Sequence, residues 1–581
     1  MNYDVSQYLI YENQTIKDVL KIFQNTADSG LPAGIAILSD KSNKVIGCVT
    51  EGDVRRGLIQ GKNLNDKIDE IAVKNPICFN ENYSYKDIIE KIPQELSLRG
   101  RKSKKYLDKI IVTNNDNELV KIIGYHELWE QKVATHRHVV VLGLGYVGLT
   151  LALVLAEEGF FITGVDTDTN KIKKLNKKDS YVIEKGLPEI LKEQLGKNFH
   201  PSVTIPEEGD VYVISVGTPV VVVGSDKNPT PILDFIETIS KEVGKKLKPG
   251  NLVILRSTVP TGTSRNVVGP LLEKHSGLIC GKDFHLAFAP ERTAEGKALK
   301  ELRELPQIIG GVNEESVEST AALFRELTPT IIRVSSLETA EMAKLINNSF
   351  RDLVFAYSNY VTQIASHFNI DIVEIIKAAN QGYPRDTVPL PSPGVGGPCL
   401  TKDPYIFSTV AEKVLNGNTS LFNEGRYINE NMHEHIAIRV INELKNLKKD
   451  IKKCKILVCG LAFKGKPETG DVRNSSAVEI YNLLSKLSTN ISGHDPVALT
   501  DEIKEVGVNP IDFEKGINDA DVVLFLNNND FYEKLNIFNV VRKMNKNPII
   551  VDGWSLYRAD EIISVKPSVY MSLSQIKSSI I

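Results

Sequence analysis

The apolar run His138-Val139-Val140-Val141-Leu142 passes directly into Gly143-Leu144-Gly145-Tyr146-Val147-Gly148, and this junction restricts the fold more than any other stretch of the chain. An unbroken row of valines and leucine reads as a strand buried on both faces, a situation found in parallel sheets covered by helices. The three glycines permit a tight turn, after which an apolar helical pattern continues through Leu155. A second strand, Phe161-Ile162-Thr163-Gly164-Val165, then ends at Asp166, 18 residues past Gly148. Strand, glycine turn, helix and second strand in this order specify an open, doubly wound α/β sheet.

The same residues predict a dinucleotide site. Side chains at the glycine positions would block the approach of a pyrophosphate to the helix N-terminus, and Asp166 is placed to accept from ribose hydroxyls. The cofactor-binding set is therefore Gly143, Gly145, Tyr146, Val147, Gly148 and Asp166, and a carboxylate at Asp166 favours NAD over NADP. Asp168 is read as a solvated turn residue. Later strand ends carry Ser215-Val216-Gly217-Thr218-Pro219 and Arg256-Ser257-Thr258-Val259-Pro260. Ligands sit beyond the carboxyl ends of strands in such sheets, so Thr218 and Thr258 are expected to face the cofactor.

At 581 residues the chain exceeds one hydrophobic core, and about three to four domains are expected. With 70 Lys+Arg against 73 Asp+Glu, the charge balance does not steer it toward nucleic acid or an anionic membrane, which leaves small molecules as the expected partners. The N-terminus lacks a signal-peptide pattern, and no apolar run reaches the roughly 18 to 20 residues that span a bilayer, so a cytoplasmic protein is expected. Six cysteines without CxxC spacing argue against a disulfide framework and against a structural zinc site. Cys48, Cys78, Cys280, Cys454 and Cys459 are read as small core residues.

Four segments emerge. Residues 1–135 hold two similar stretches, since Asn43–Val54 aligns without gaps over Asn117–Leu128. In the first copy, Thr50 and Asp53 stand at a strand-to-helix junction, where they either hold a ribose beside a helix N-terminus or simply cap that helix. The stretch Val49-Thr50-Glu51-Gly52-Asp53-Val54-Arg55-Arg56 resembles the ligand motif of cystathionine-β-synthase-type (CBS) domain pairs. The resemblance implies an α+β regulatory pair with a nucleotide at Thr50 and Asp53, whereas the second copy has Gly124 and Glu127 instead. A polar linker, Glu130–Arg137, leads to an NAD-binding domain at 137–335. A helical span over roughly 337–380 belongs to a central domain at 336–440, and a second strand-to-helix unit from Lys455 opens a domain at 441–581.

The blocks Pro290-Glu291-Arg292-Thr293-Ala294-Glu295-Gly296, Ala340-Glu341-Met342-Ala343-Lys344…Asn348, Gly394-Val395-Gly396-Gly397-Pro398-Cys399-Leu400-Thr401-Lys402-Asp403, Gly460–Lys464, Asp471–Ser475 and His494-Asp495-Pro496 follow one another in order. Together with Gly143–Gly148 they resemble the UDP-glucose/GDP-mannose dehydrogenase family over about residues 138 to 560. The resemblance implies two Rossmann-like doubly wound domains joined by a central helical domain, here preceded by the CBS pair, and assembly through the central helices into a homo-oligomer. It also implies oxidation of the C6 alcohol of a UDP-sugar to the uronic acid with two NAD per turnover.

By that resemblance Cys399 attacks the aldehyde, giving a thiohemiacetal and then a thioester that water hydrolyses, chemistry for which a thiolate is well suited. Lys344 and Asn348, four apart on one helix face, stabilise developing oxyanions. Asp403 orients the helix lysine and the hydrolytic water, and Glu291 serves hydrolysis as base. Glu295 and Thr258 are carried over as well, the threonine helping to hold catalytic water, although both positions also suit turn or cap residues. Gly396 and Gly397 line the substrate side. Phe463 and Lys464 stand where a dinucleotide loop would have glycines, so Lys464 is expected to supply charge to a nucleoside diphosphate. Arg473 is assigned to the sugar or diphosphate, and Arg385 resembles an arginine that reaches a neighbouring subunit's active site.

Substrate signals diverge. Pro290-Glu291-Arg292, Tyr383-Pro384-Arg385 and Gly394–Gly397 look like a UDP-N-acetylhexosamine branch (UDP-GlcNAc or UDP-ManNAc), whose product would feed surface polysaccharide biosynthesis. Glu295 and Cys399–Asp403 look more like UDP-glucose dehydrogenases, and Pro398 fits neither. A non-catalytic nucleotide-sensing protein is the alternative of another class, against which intact Cys399, Lys344, Asn348 and Asp403 speak.

Overall fold

The computed structural model describes residues 5–29, 31–83, 85–99, 107–124, 137–221, 229–415 and 420–580. It divides into two compact units, Met1–His136 and Arg137–Ile581.

The first unit is built on an internal repeat. Strands Ile35–Ser39 and Val45–Thr50 form one hairpin, and Lys109–Thr113 and Leu119–Gly124 form the other, each with an irregularity after the fourth residue of its first strand. Both turns place an asparagine in the left-handed region, Asn43 at φ 62 and Asn117 at φ 63, which asparagine tolerates better than most residues. The turns meet: Val45 N donates to the Asn117 carbonyl and Asn117 Nδ2 to the Val45 carbonyl, both at 2.9 Å. Buried Tyr8, Ile37, Ile111 and Ile122 join the halves in one apolar cluster. Gly124 ends its strand, while Glu127 and most of the expected linker lie outside the described residues.

The second unit contains the sheet predicted from Gly143. Its strands run in the order Phe199–Ser202, Phe161–Val165, His138–Leu142, Val211–Ile214, Leu252–Leu255, His285–Phe288, Gln307–Gly311, Ile331–Arg333. The order reverses between His138–Leu142 and Val211–Ile214, so the Gly143 turn and the Ser215 loop flank the crevice where ligands bind in doubly wound sheets. One pair, His285–Phe288 with Gln307–Gly311, is antiparallel; the rest are parallel.

The helical span expected over 337–380 is two helices, Leu337–His367 and Ile372–Asn380. The break lies at Asn369, whose φ of 52 ends the first helix, and Asp371, whose side chain caps the second at Val373 N. Helix Ser420–Asn446 runs straight across residue 440, where a domain boundary was expected. Its Met432, Ile436, Val440 and Leu444 are buried with strand residues Ile456 and Val458 of the following sheet, which makes it both a central helix and a support for the next domain.

That last domain repeats the first sheet's logic, with strands ordered Ile491–His494, Ile456–Cys459, Val522–Phe525, Ile549–Asp552, Val569–Ser572, Ile576–Ser578. The local geometry repeats too. Asp166 Oδ2 accepts from Leu144 N in the first glycine turn, and Asp495 Oδ2 accepts from Ala462 N in the second, both at 2.9 Å. Among the described residues no helix is long and apolar enough to cross a membrane.

Candidate active site

At the switch point the backbone forms a cradle that a side chain would fill. Gly143 has φ 90, and a Cβ added to Gly148 would lie 1.8 Å from the Gly143 carbonyl oxygen. Gly145, the N-cap of helix Tyr146–Glu157, is exposed with nothing within 4 Å of an added Cβ, which leaves that positive helix end open to an anion. These residues fit a dinucleotide. Asp166 also accepts from Lys171 Nζ at 3.2 Å and from Asp168 N at 2.9 Å. Asp168 is exposed, as expected, and in addition caps helix Thr169–Asn176, accepting from Asn170 N at 2.9 Å. Thr218 is buried, and its hydroxyl donates to the Thr258 carbonyl at 2.6 Å, which ties the two loops together. Val147 follows Tyr146 in the first turn of the glycine helix. The Tyr146 hydroxyl donates to Glu184, and Gly296 N donates to Glu184 Oε2 at 2.8 Å, so the cofactor helix is fastened to the Pro290–Gly296 loop.

Cys399 lies at the end of a glycine loop that rests on the C-terminal domain. A Cβ on Gly397 would come 2.7 Å from the Phe463 ring, and one on Gly396 would come 2.3 Å from the Asn474 carbonyl oxygen. Gly397 N donates to that carbonyl at 3.2 Å, and Asn474 Nδ2 reaches Thr401 Oγ1 at 3.1 Å. Cys399 is an exposed residue of this loop. Even so, the surrounding protein displaces enough water to push its pKa up, as does the negative charge of Asp403, while Lys344 and Lys402 act in the opposite direction. Burial, against Arg99, pushes Cys78 up to about 11, and burial with Glu273 pushes Cys280 up to about 12.

Asp403 is fully buried as the first residue of helix Asp403–Val414, and its N–H donates to the Cys399 carbonyl at 2.9 Å. Its carboxylate accepts from Asn348 Nδ2 at 2.5 Å and from Lys402 Nζ at 2.8 Å. The expectation that it orients Lys344 is thus revised: Asp403 holds Asn348 and Lys402, and Lys344, also buried, lies one turn before Asn348 on the long helix.

The two carboxylates of the Pro290 loop have opposite environments. Glu291 is buried, which by itself would raise its pKa, but the Arg256 guanidinium, the N–H of Thr293 and Lys344 together hold it below the usual carboxylate range. Such a group is a weak base, which counts against the base role expected for it. Glu295 is pushed up by burial and by Asp471, against Lys464, Arg473 and a 3.4 Å hydrogen bond from Thr469. Its backbone carbonyl accepts from Lys464 Nζ at 2.8 Å. Lys464, expected at a diphosphate, therefore bridges the domains beside Glu295, and burial pulls its pKa down.

Arg473 is exposed and doubly paired with Asp471, Nε to Oδ1 at 2.9 Å and Nη2 to Oδ2 at 2.5 Å. Arg385 is exposed, with its guanidinium 3.1 Å from the Tyr383 hydroxyl. Neither makes a polar contact with Cys399 or Lys344 among the described residues. Sequence reasoning gave no role to Arg256 or Glu341. Arg256 is nearly inaccessible and binds Glu291, the Ala289 carbonyl and Gln307 Oε1. Glu341 accepts from Gly262 N at 2.5 Å and Ser264 N at 2.8 Å, docking the long helix on the Thr258 loop. Only the rarity of buried unpaired charge could have flagged them, and that needs burial to be known.

Residues 137–328 match the NAD binding domain of the UDP-glucose/GDP-mannose dehydrogenase family, 338–431 its central domain and 457–559 its UDP binding domain, while 5–60 match a CBS domain. A UDP-N-acetyl-D-mannosamine dehydrogenase of Campylobacter jejuni is 34% identical over 399 residues, covering 67% of this chain and 94% of that protein. The structure of a UDP-D-ManNAc dehydrogenase from Pyrococcus horikoshii superposes with a TM-score of 0.66 at 30% identity, covering 75% of this chain and 99% of that one. A UDP-glucose dehydrogenase from Pyrobaculum islandicum gives 0.65 at 25% identity, over 76% and 98% of the two chains.

The electrostatics predict the reactivity of the thiol. Iodoacetamide labelling of Cys399, followed by peptide mass spectrometry from neutral to alkaline pH, should accelerate through a midpoint above the ordinary thiol range. Asp403→Asn should move that midpoint down and Lys344→Met should move it up, each changing the neutral-pH rate several-fold. A profile indifferent to both would show that these charges do not act on the sulfur.

Proposed function

Because the chain belongs to the UDP-glucose/GDP-mannose dehydrogenase family and is an NAD-dependent UDP-sugar dehydrogenase, we propose that it oxidises C6 of a UDP-N-acetylhexosamine to the uronic acid through an adduct on Cys399. The observation that carries the adduct is an accessible thiol set between Lys344, Lys402 and the Asn348–Asp403 pair. The sugar rests on the Pro290-Glu291-Arg292 and Gly394–Gly397 blocks and on the relatives named for UDP-N-acetyl-D-mannosamine. UDP-ManNAc is the favoured substrate, UDP-GlcNAc the next and UDP-glucose the alternative. The product suits assembly of a surface polysaccharide in the cytoplasm.

Gly143–Gly148 and Asp166 would hold NAD, which when bound would accept one hydride in each of two oxidations. The first oxidation removes a hydride from C6 and a proton from its hydroxyl, giving the aldehyde. The Cys399 sulfur adds to that carbon, losing its proton, and the resulting oxyanion is stabilised by the Lys344 ammonium and the Asn348 amide. Loss of the second hydride leaves a thioester. Water adds, the C–S bond breaks and the thiol is regained, so one water and two NAD give the uronate, two NADH and three protons. For activating that water we assign Glu295, whose raised pKa suits a base, while Glu291 with Arg256 holds the loop. Arg473 and Lys464 serve the UDP-sugar.

On helix Leu337–His367 the exposed Ile346, Phe350, Tyr357, Tyr360 and Ile364 follow one another at steps of four, seven, three and four residues. This stripe has the seam spacing that a second helix covers, and we propose that a second copy of the chain does so, with Arg385 contributing to the partner's site. In the first unit, Thr50 and Asp53 form a capping box, Asp53 Oδ2 accepting from Thr50 N at 2.8 Å and Oγ1 at 2.6 Å. Thr15 and Asp18 make the same box, so capping alone explains the pair. The nucleotide proposal rests instead on the cleft of about 930 Å³ beside it, lined by Gly34, Thr50, Arg55, Arg56, Arg99 and Lys109.

With NAD and a panel of UDP-sugars, two NADH should form per uronate, fastest with UDP-ManNAc. Cys399→Ala should lose steady turnover but keep UDP-sugar binding, and Glu295→Gln should accumulate the thioester where Glu291→Gln does not. Steady turnover by Cys399→Ala would end the covalent reading. Phe350→Glu with Tyr357→Glu should yield a monomer in sedimentation, and an unchanged mass would refute the stripe as the interface. Adenine nucleotides should raise the thermal midpoint of the wild type but not of a variant with Arg55 and Arg99 both changed to Ala; no shift with any nucleotide would remove the regulatory reading.

A further inference from the structure

The largest fully buried side chain of the molecule, Arg426, lies outside every motif discussed so far. It projects from helix Ser420–Asn446 and makes three sets of contacts. Nη1 donates to Asp352 Oδ1 at 2.7 Å. Both terminal nitrogens reach the Val395 carbonyl, at 3.4 and 3.3 Å. Nε and Nη2 donate to Glu430 Oε1, at 3.2 and 2.9 Å.

Each contact leads to a different piece of the reaction site. Asp352 is buried on the long helix eight residues after Lys344 and four after Asn348, so the three share one face. Val395 belongs to the glycine loop four residues before Cys399. Glu430 also accepts from the Tyr405 hydroxyl, at 3.2 Å, and Tyr405 lies two residues after Asp403 on the helix that Asp403 begins. The neighbours reinforce this arrangement. Asn429 Nδ2 donates to Asp352 Oδ1 at 2.9 Å and its Oδ1 accepts from Asn359, whose own Oδ1 accepts from Ser392 N at 3.0 Å, where the loop begins.

We propose that Arg426 is a positioning residue for the reaction, fixing the Cys399 loop, the Lys344–Asn348 helix and the Asp403 helix in mutual register without itself touching the substrate. The planar guanidinium suits this task because its five donors leave three separate nitrogens in fixed directions, whereas the three donors of a lysine ammonium leave a single atom at the end of a flexible stem. The Val395 contact matters most, since a carbonyl in a glycine-rich loop has few other means of fixing its position. This inference rests on the reading of Cys399 as nucleophile.

The test uses the full chain with Arg426→Lys and Glu430→Gln, the second at a half-exposed carboxylate. Steady-state kinetics with NAD and UDP-ManNAc are combined with thermal unfolding and the pH profile of Cys399 labelling. Misplacement of a reacting group by about 1 Å costs on the order of 100-fold. Arg426→Lys should therefore lose kcat by about that factor with KM for both substrates little changed, and should shift the labelling midpoint. Glu430→Gln should lower kcat by less, in the same direction. A lower unfolding temperature with kcat per folded molecule and the labelling profile unchanged would reduce Arg426 to a stabilising residue and overturn the proposal. Should Arg426→Lys fail to fold, Glu430→Gln decides, and a wild-type kcat there overturns it equally. Retained turnover in Cys399→Ala would instead indict the nucleophile assignment, so the two failures are distinguishable.

Discussion

Asp403 carries a carboxylate with no access to solvent, and the arrangement of the catalytic loop follows from how that charge is accommodated. A buried charge costs several kcal/mol unless hydrogen bonds and an opposite charge surround it. Here Asn348 and Lys402 do so, and the N-terminus of the helix that Asp403 begins adds its dipole. Both partners are committed by the same contact: Asn348 cannot leave without carrying the Lys344 helix with it, and Lys402 sits in the loop turn that presents Cys399. The hydrogen bond from Asp403 N to the Cys399 carbonyl closes that turn at 2.9 Å. One residue thus solves a solvation problem and sets the place of the Cys399 thiol.

The loop's other side depends on the second sheet. Gly396 and Gly397 lie so close to Asn474 and Phe463 that no side chain fits between them, while Lys464 spans from the same segment to the Glu295 carbonyl. Neither doubly wound domain therefore forms the cleft alone. The first holds Glu291 and Glu295 on a loop fastened to the glycine helix by Tyr146 and Glu184, and the second presses the cysteine loop into place. Phe463 and Lys464, which spoil a dinucleotide turn, are the residues that make this contact.

What was legible in the sequence was whatever depends on period and on backbone freedom. The valine strand, Gly143, Asp166 and the second strand-to-helix unit from Lys455 all follow from such signals, as does the repeat that sets Asn43 over Asn117. What was not legible depends on burial across long separations. Arg256 with Glu291 and Arg426 with Asp352 are 35 and 74 residues apart, and nothing local marks either arginine as buried. The same limit turned one helix into two at Asn369, since a left-handed asparagine leaves no trace in apolar spacing. It also left Thr50 and Asp53 between two readings; the identical box at Thr15 and Asp18 means that capping is enough to account for the pair.

A thiol whose pKa is raised looks ill suited to nucleophilic attack, yet it fits the order of events proposed for the reaction. Before the first oxidation the carbon is an alcohol and offers nothing to attack, so a protonated Cys399 does no harm beside Lys344 and the entering hydroxyl. Once the aldehyde forms, the sulfur's proton can leave as charge passes from sulfur to the new oxyanion, which Lys344 and Asn348 are placed to stabilise. The divergence of Glu291 and Glu295 extends this logic. Arg256 keeps one carboxylate ionised and fixed throughout, while burial and Asp471 keep the other ready to exchange a proton when the thioester meets water. Two glutamates four residues apart on one loop thereby acquire different chemistry, and the difference is made by an arginine just past strand Leu252–Leu255 and an aspartate of the C-terminal domain.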